Sequence, residues 1–145
     1  MDIKVERVAK SSKKVLDALN ALIPQMSPNS KEVTPDNLER IVANKNIHLI
    51  ILKSNTGSIV ACATLALVPT PSNLLGFVED VVVDKEFRGK GYGRIIMQEI
   101  ITIAKNSNVN QIKLQSNPKR VNANILYKKL GFIMFDTNSY CYNIS

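Results

Sequence analysis

Val81-Val82-Val83-Asp84-Lys85-Glu86-Phe87-Arg88-Gly89-Lys90-Gly91-Tyr92-Gly93-Arg94, continuing into Ile95-Ile96-Met97, is the stretch from which the rest of the chain is read. The β-branched run at its start predicts a buried strand. After it, Ile96, Met97, Ile100, Ile103 and Ala104 recur at helical spacing and predict a helix. A strand therefore feeds a helix through a glycine-rich turn. Gly89, Gly91 and Gly93 alternate with Lys90 and Tyr92, so the backbone can approach a ligand closely. The first amides of the helix lack intrahelical partners, and with the positive helix end, Arg88 and Arg94 they form a site for phosphate oxygens.

Two glycine motifs can be weighed against these residues. A P-loop needs Gly-Lys followed by Ser or Thr, and Lys90 is followed by Gly91, which has no hydroxyl to hold magnesium. A dinucleotide fingerprint needs Gly-x-Gly-x-x-Gly and an acidic residue about 20 positions further on. Here the third glycine is one position early, and the later region reads Asn110-Gln111-Ile112-Lys113. The pattern present is Arg-x-x-Gly-x-Gly, at Arg88, Gly91 and Gly93, and it resembles the pyrophosphate-binding turn of the GNAT superfamily of acetyl-CoA-dependent N-acyltransferases. A second segment follows a strand predicted over Gln111 to Ser116. It reads Arg120-Val121-Asn122-Ala123-Asn124-Ile125-Leu126-Tyr127-Lys128-Lys129-Leu130-Gly131-Phe132 and is similar to the family's helix carrying Arg-x-x-Ala-[His/Asn]-x-x-Tyr and closing with Gly-Phe. The resemblance is close from Phe77 to the C-terminus and extends to the N-terminal half in the order of elements.

At 145 residues the chain is long enough for one domain with a sizeable core, and 45% apolar with 21% charged residues is ordinary for a globular protein. There is no run of about 18 apolar residues to span a membrane. Met1 to Glu6 shows no signal-peptide core, so a cytoplasmic location is expected by default. Cys62, Cys141 and the lone His48 have no metal-ligand spacing, so no metal is expected. Cys62, within Ile59-Val60-Ala61-Cys62-Ala63, reads as a small buried thiol rather than a nucleophile. The net charge of +7 is local: residues 1–84 cancel at nine Lys/Arg and nine Asp/Glu, whereas residues 85–129 hold ten Lys/Arg against Glu86 and Glu99. A local excess of cations favours a polyanionic ligand such as coenzyme A. A nucleic-acid partner is disfavoured, because no recognition motif of those modules occurs and aromatics do not interleave with the basic residues.

Along the chain, Ile3, Val5 and Val8 alternate into an opening strand of about seven residues. Ser11 or Ser12 caps a helix through Val15, Leu16, Leu19, Leu22 and Ile23 that stops at Pro24. After a loop, Thr34-Pro35 opens a second helix. His48 to Lys53 and Ser58 to Val68 form a hairpin around Asn55-Thr56-Gly57, and Leu74 to Val83 is the strand leading into the glycine turn. Phe132 to Phe135 and Tyr140 to Ile144 read as closing strands. The order β-α-α-β-β-β-α-β-α-β-β is similar to the GNAT fold. The resemblance implies an α/β (α+β) domain over residues 1–145, with a mixed, mostly antiparallel sheet of six to seven strands and about four helices. It also implies that the strands over Leu74–Val83 and Gln111–Ser116 splay to admit the cofactor's pantetheine arm.

Acetyl transfer from a thioester needs a free amine, a stabilised oxyanion and a protonated leaving thiolate. Amines have a pKa of about 10 and thiols about 8.5, so deprotonating the nucleophile is the step most in need of help. Glu79 and Asp80 are adjacent carboxylates on a strand predicted to be buried, where they must face opposite sides; Glu79 shares the parity of Val81 and Val83. By the resemblance, Glu79 matches the family's general base and Tyr127 its general acid toward the thiolate. Asp80 or a water chain stays open as the base. The resemblance further assigns cofactor contacts to the backbone of Val81, Val82 and Val83, to Arg88, Gly89, Lys90, Gly91, Tyr92, Gly93 and Arg94, and to Asn117, Asn124 and Tyr127. The implied activity is transfer from acetyl-CoA to a primary amine of a small molecule or protein. A non-catalytic acyl-CoA-binding regulatory module is the alternative, and a homodimer is compatible with the family. Phe77 to Val83 looks like the corresponding segment of glucosamine-phosphate acetyltransferases, but Pro24 to Val33 and Asp136 to Tyr140, where the family sets acceptor choice, match no signature. That likeness is therefore set aside as coincidence.

Overall fold

A computed structural model describes residues 3–144. The elements run β1 Lys4–Arg7, α1 Lys13–Met26, α2 Pro35–Ala43, β2 Ile47–Lys53, β3 Ile59–Pro69, β4 Leu74–Val83, a 3-10 turn over Lys85–Phe87, α3 Tyr92–Asn106, β5 Gln111–Lys113 and α4 Val121–Lys129. The five strands lie in sequence order β1-β2-β3-β4-β5. All pairs are antiparallel except β4 with β5.

Each face of the sheet has its own core. Val15, Leu19 and Leu22 of α1 and Leu38 of α2 pack on Leu49, Ile51, Cys62 and Val82. On the other face Ile96, Met97, Ile100 and Ala104 of α3 and Tyr127 of α4 pack on Ile50, Leu52, Val60, Ala61, Ala63, Leu65, Val78 and Val81. Ile96, Met97 and Ile100 are completely buried, each stabilising by about 1.5–3 kcal/mol, so α3 is held by its apolar stripe. The helix caps follow from side-chain chemistry. Ser12 Oγ accepts from the Val15 N–H at 3.2 Å, and Thr34 Oγ1 accepts from the Asn37 N–H at 3.2 Å with Pro35 inside the first turn.

Four expectations need correction. Pro24 does not stop α1, which runs on to Met26 and closes with the Ser27 N–H donating to the Ile23 carbonyl at 2.9 Å. The opening strand is four residues long, and beyond it Val8 is buried and donates to the Leu49 carbonyl at 2.9 Å. The sheet has five strands rather than six or seven, because Phe132 to Phe135 and Tyr140 to Ile144 form none. Their apolar side chains lie largely in solvent, Ile133, Met134, Tyr140, Tyr142 and Ile144 each at least 81% exposed, so no burial drives the pairing. The segment touches β5 and the residues just past it through side chains instead, Lys113 lying over the Phe135 ring and Gln115 Nε2 donating to Ser139 Oγ at 3.0 Å. Fourth, β5 ends at Lys113 and not at Ser116.

Candidate active site

Strands β4 and β5 are stitched at one end and free at the other. The Asn110 N–H donates to the Leu74 carbonyl and the Leu74 N–H donates back to Asn110 Oδ1, both at 2.8 Å. Gly76 permits the close approach, since a Cβ there would lie 3.2 Å from Leu65 Cδ1 and 3.4 Å from Val109 Cγ1. Pairing then runs Leu75 with Gln111, Gly76 with Ile112 and Phe77 with Lys113, and stops. Residues Val78 to Val83 of β4 continue without a neighbour on that side, which opens the slit that the resemblance implies.

A bulge lies in the open part of β4. Thr64 pairs with Glu79 but Cys62 pairs with Val82, so Asp80 and Val81 oppose the single residue Ala63. Asp80 takes φ +52°, a left-handed conformation that aspartate tolerates better than most residues. The extra residue shifts the alternation by one. Glu79 therefore shares the face of Val82, toward α1 and α2, and not the parity of Val81 and Val83, which pack on the α3 side. Nor are the two carboxylates buried on opposite faces: both are exposed at the bulge. Partial burial raises the Glu79 carboxyl above the usual range, and the neighbouring Asp80 charge adds to the rise. Cys62 behind them is a buried thiol pushed up to about 12 by burial first, then by Asp80, which suits packing and not nucleophilic attack.

At the C-terminal end of β4 the chain turns into α3. Gly89 and Gly91 have φ of +80° and +82°, and a Cβ on either would meet nothing within 4 Å. Gly91 is the N-cap of α3 and makes no side-chain cap, so the amides of Tyr92, Gly93 and Arg94 are presented outward at the positive end of a 15-residue helix. Gly93 serves packing, its Cβ position lying 3.3 Å from Leu126 Cδ2. Tyr92 contributes only its main chain to this turn, since its ring is buried and stacked on Phe87. Lys90 lies over the Phe87 ring, and Arg88 Nε donates to the Val83 carbonyl at 3.0 Å. Lys90, Arg88 and Arg94 are all exposed. These groups fit a diphosphate.

Tyr127 enters from α4 on the α3 side. The helix ends in a Schellman arrangement, with the Gly131 N–H donating to the Lys128 carbonyl at 3.1 Å and the Phe132 N–H to the Tyr127 carbonyl at 3.0 Å. Gly131 takes the left-handed φ of +102° this requires. Phe132 then meets the Tyr127 ring edge-on at 6.0 Å, so the Gly-Phe closure fixes the tyrosine. Burial raises the Tyr127 hydroxyl above its usual range, and the positive charge of Arg120 offsets only part of that rise. Asn124 is committed within the chain: its amide donates to the Asn117 carbonyl at 3.0 Å and the Arg120 carbonyl at 2.9 Å. Asn117 Oδ1 accepts from the Lys119 N–H at 2.9 Å as a turn former. The pair shapes the loop before α4 and leaves Asn124 Oδ1 as its free acceptor.

Two groups on the slit were not singled out from the sequence. Arg120 Nη2 reaches across and donates to the Val81 carbonyl at 3.4 Å. Ser116 Oγ, just past β5, is buried without a hydrogen-bond partner among the described residues. The basic residue opening the second signature could have marked Arg120; nothing in the sequence marks Ser116. In the region expected to set acceptor choice, a hollow of about 300 Å³ lies between α1 and the following loop, bordered by Asn20, Ile23, Pro24, Ser30, Lys31 and Glu32. Among the described residues no group of three or more His, Cys, Asp and Glu could hold a metal ion, and no helix is long and apolar enough to cross a membrane.

Comparison with known proteins gives concordant results. A family model described as the acetyltransferase (GNAT) family matches residues 16–132. A glucosamine 6-phosphate N-acetyltransferase of Trypanosoma brucei brucei is 34% identical over 80 residues, 53% of this chain and 52% of that protein. The chain thus spans about half the length of that curated relative. Among solved structures, an aminoglycoside acetyltransferase from an uncultured soil metagenomic sample superposes with a TM-score of 0.86 at 15% identity, over 99% of this chain and 97% of that one. The glucosamine-6-phosphate N-acetyltransferase of Arabidopsis thaliana gives 0.76 at 19%, over 98% and 99%.

Proposed function

The chain belongs to the GNAT acetyltransferase family, and on that premise we propose that it transfers an acetyl group from acetyl-CoA to a primary amine by direct attack, with Glu79 as general base and Tyr127 as general acid. The observation that carries this reading is the slit. β4 loses its partner after Phe77, and its open edge runs down to the uncapped start of α3.

In this reading the amides of Tyr92, Gly93 and Arg94, reached past Gly89 and Gly91, hold the diphosphate with Arg88, Lys90 and Arg94 around it. The edge of Val81, Val82 and Val83 that faces away from β3 holds the pantetheine amides and polarises the thioester carbonyl, with Arg120 and Arg88 yielding the Val81 and Val83 carbonyls they now hold. Asn124 Oδ1 and the Asn117 turn border the arm. The bulge supports a division of labour, because Glu79 faces α1 and α2 while Tyr127 stands on the α3 side. The amine enters from the α1 and α2 side and gives a proton to Glu79, directly or through water. Freed of that proton, its nitrogen forms the new C–N bond, the C–S bond breaks, Tyr127 protonates the departing sulfur, and the surplus proton left on nitrogen passes through solvent to restore Tyr127. A base with a raised pKa is better matched to an amine than an ordinary carboxylate.

The acceptor is a small molecule or a protein amino group, used by a single domain over residues 1–145 in the cytoplasm, as a monomer or homodimer. Glucosamine 6-phosphate is the first amine to try, because the trypanosomal relative is named for it and reopens the likeness of Phe77 to Val83 that the sequence reading set aside. The test is an amine and peptide panel with thiol-release detection, run on wild type, Glu79→Gln and Tyr127→Phe. Turnover should fall at least tenfold in each variant with acetyl-CoA affinity nearly unchanged. Wild-type turnover in both would remove these residues from the mechanism. Tight acetyl-CoA binding with no acetylation would favour a regulatory module.

A further inference from the structure

Arg120 is built into the slit with nothing to neutralise it. Its main chain is fixed: the N–H donates to the Asn117 carbonyl at 3.0 Å, and its own carbonyl accepts from the Asn124 N–H and the Asn124 side chain. As the N-cap residue of α4 it makes no side-chain cap. The side chain reaches from the start of α4 to β4. There one nitrogen meets the Val81 carbonyl at 3.4 Å, a long contact, and its positive charge lowers the Tyr127 hydroxyl against the rise that burial causes. Among the described residues no ion pair includes it. A half-buried cation without a carboxylate suits a place where negative charge arrives later.

Resting on the acetyltransferase reading, we propose that Arg120 is a positioning residue for the transfer step. Before the cofactor binds, its guanidinium bridges the slit to the Val81 carbonyl. On binding, it cedes that carbonyl to the arm and turns to the Tyr127 hydroxyl, acting on the sulfur through the phenol proton. The electron pair of the breaking C–S bond goes to sulfur, Tyr127 supplies the proton, and the positive charge next to the phenol favours that donation. Solvent returns a proton to Tyr127. The same side chain thus guards the slit and assists departure of the thiolate.

The two roles predict opposite effects on binding and turnover. Arg120→Gln should lower kcat about 10- to 100-fold while binding coenzyme A as tightly as wild type or a few-fold more tightly by calorimetry, because the bridge to Val81 is gone. Arg120→Lys should recover most of the turnover. In a Tyr127→Phe background, Arg120→Gln should cost less than about threefold more, since the two groups act on one proton transfer. Unchanged kcat in Arg120→Gln, an undiminished cost in the Tyr127→Phe background, or coenzyme A binding weakened in step with kcat would each overturn the proposal. If wild type acetylates no amine, the acetyltransferase reading fails by itself. The calorimetric comparison then decides the bridge alone, and looser binding in Arg120→Gln refutes it.

Discussion

Gly91→Ala separates the conformational demand of the glycine turn from its ligand chemistry. Gly91 sits at φ +82° and ψ 9°, and its missing Cβ would meet no heavy atom within 4 Å. The substitution therefore introduces no clash, and its effect on stability is the left-handed penalty alone, about 1–2 kcal/mol. The buried stripe of Ile96, Met97 and Ile100 keeps α3 in place, so the fold survives. For a chain of this length the thermal midpoint should drop by about 3–8 °C. Gly91→Asn, which enters the left-handed region more readily, should lose less. The ligand effect is separate. The added methyl stands where a phosphate must reach the Tyr92 and Gly93 amides, and losing one charge-assisted hydrogen bond costs about 1.5–3 kcal/mol, roughly 10- to 150-fold in coenzyme A affinity. Alanine and asparagine should share that loss while differing in midpoint. Calorimetry and thermal unfolding on both variants read the two effects apart. An alanine variant that unfolds with wild type refutes the backbone assignment, and one that binds coenzyme A with wild-type affinity refutes the phosphate turn.

Arg88→Ala should weaken coenzyme A binding about tenfold with little change in stability, since its one described protein contact is an exposed bond to the Val83 carbonyl; unchanged affinity by calorimetry counts against its place at the diphosphate. Asp80→Asn keeps a side chain that accepts φ +52° but removes the negative charge beside Glu79. A raised carboxyl keeps its proton to higher pH, so the acidic limb of kcat/KM lies above that of an ordinary carboxylate. Losing the Asp80 charge should move the limb to lower pH, and burial, the larger cause, should keep it from returning fully. A limb that stays put or moves up shows that Glu79 is not the titrating base.

Local signals settled the elements whose periodicity and caps agree. The α3 stripe, the Ser12 and Thr34 caps and the hairpin from β2 to β3 all stand close to where patterning put them. What escaped was set by tertiary context. Pro24 ordinarily ends a helix, yet α1 passes it because Ile23 still closes a turn with Ser27 and Leu22 is anchored in the core. Phe132 to Phe135 and Tyr140 to Ile144 have strand composition, but composition supplies no partner, and the neighbouring β5 is three residues long. Arg120 looked like one basic residue among ten in its region; only the fold aims it across the slit at Val81.

The bulge changes the geometry from which Glu79 was read as a base. Strict alternation put Glu79 with Val81 and Val83, on the side where Tyr127 stands, and would have crowded base and acid onto one face. A single left-handed residue, Asp80, resets the alternation and moves Glu79 to the face of Val82. Because the pairing of β4 with β5 stops at Phe77, no strand covers that edge of β4 between the two faces among the described residues. In the proposed reaction the amine adds to the planar carbonyl and the thiolate leaves from the tetrahedral intermediate, so base and acid serve different atoms, nitrogen and sulfur. The carboxylate was legible in Phe77 to Val83, but the face it occupies follows from one inserted position and its surroundings from where the pairing stops.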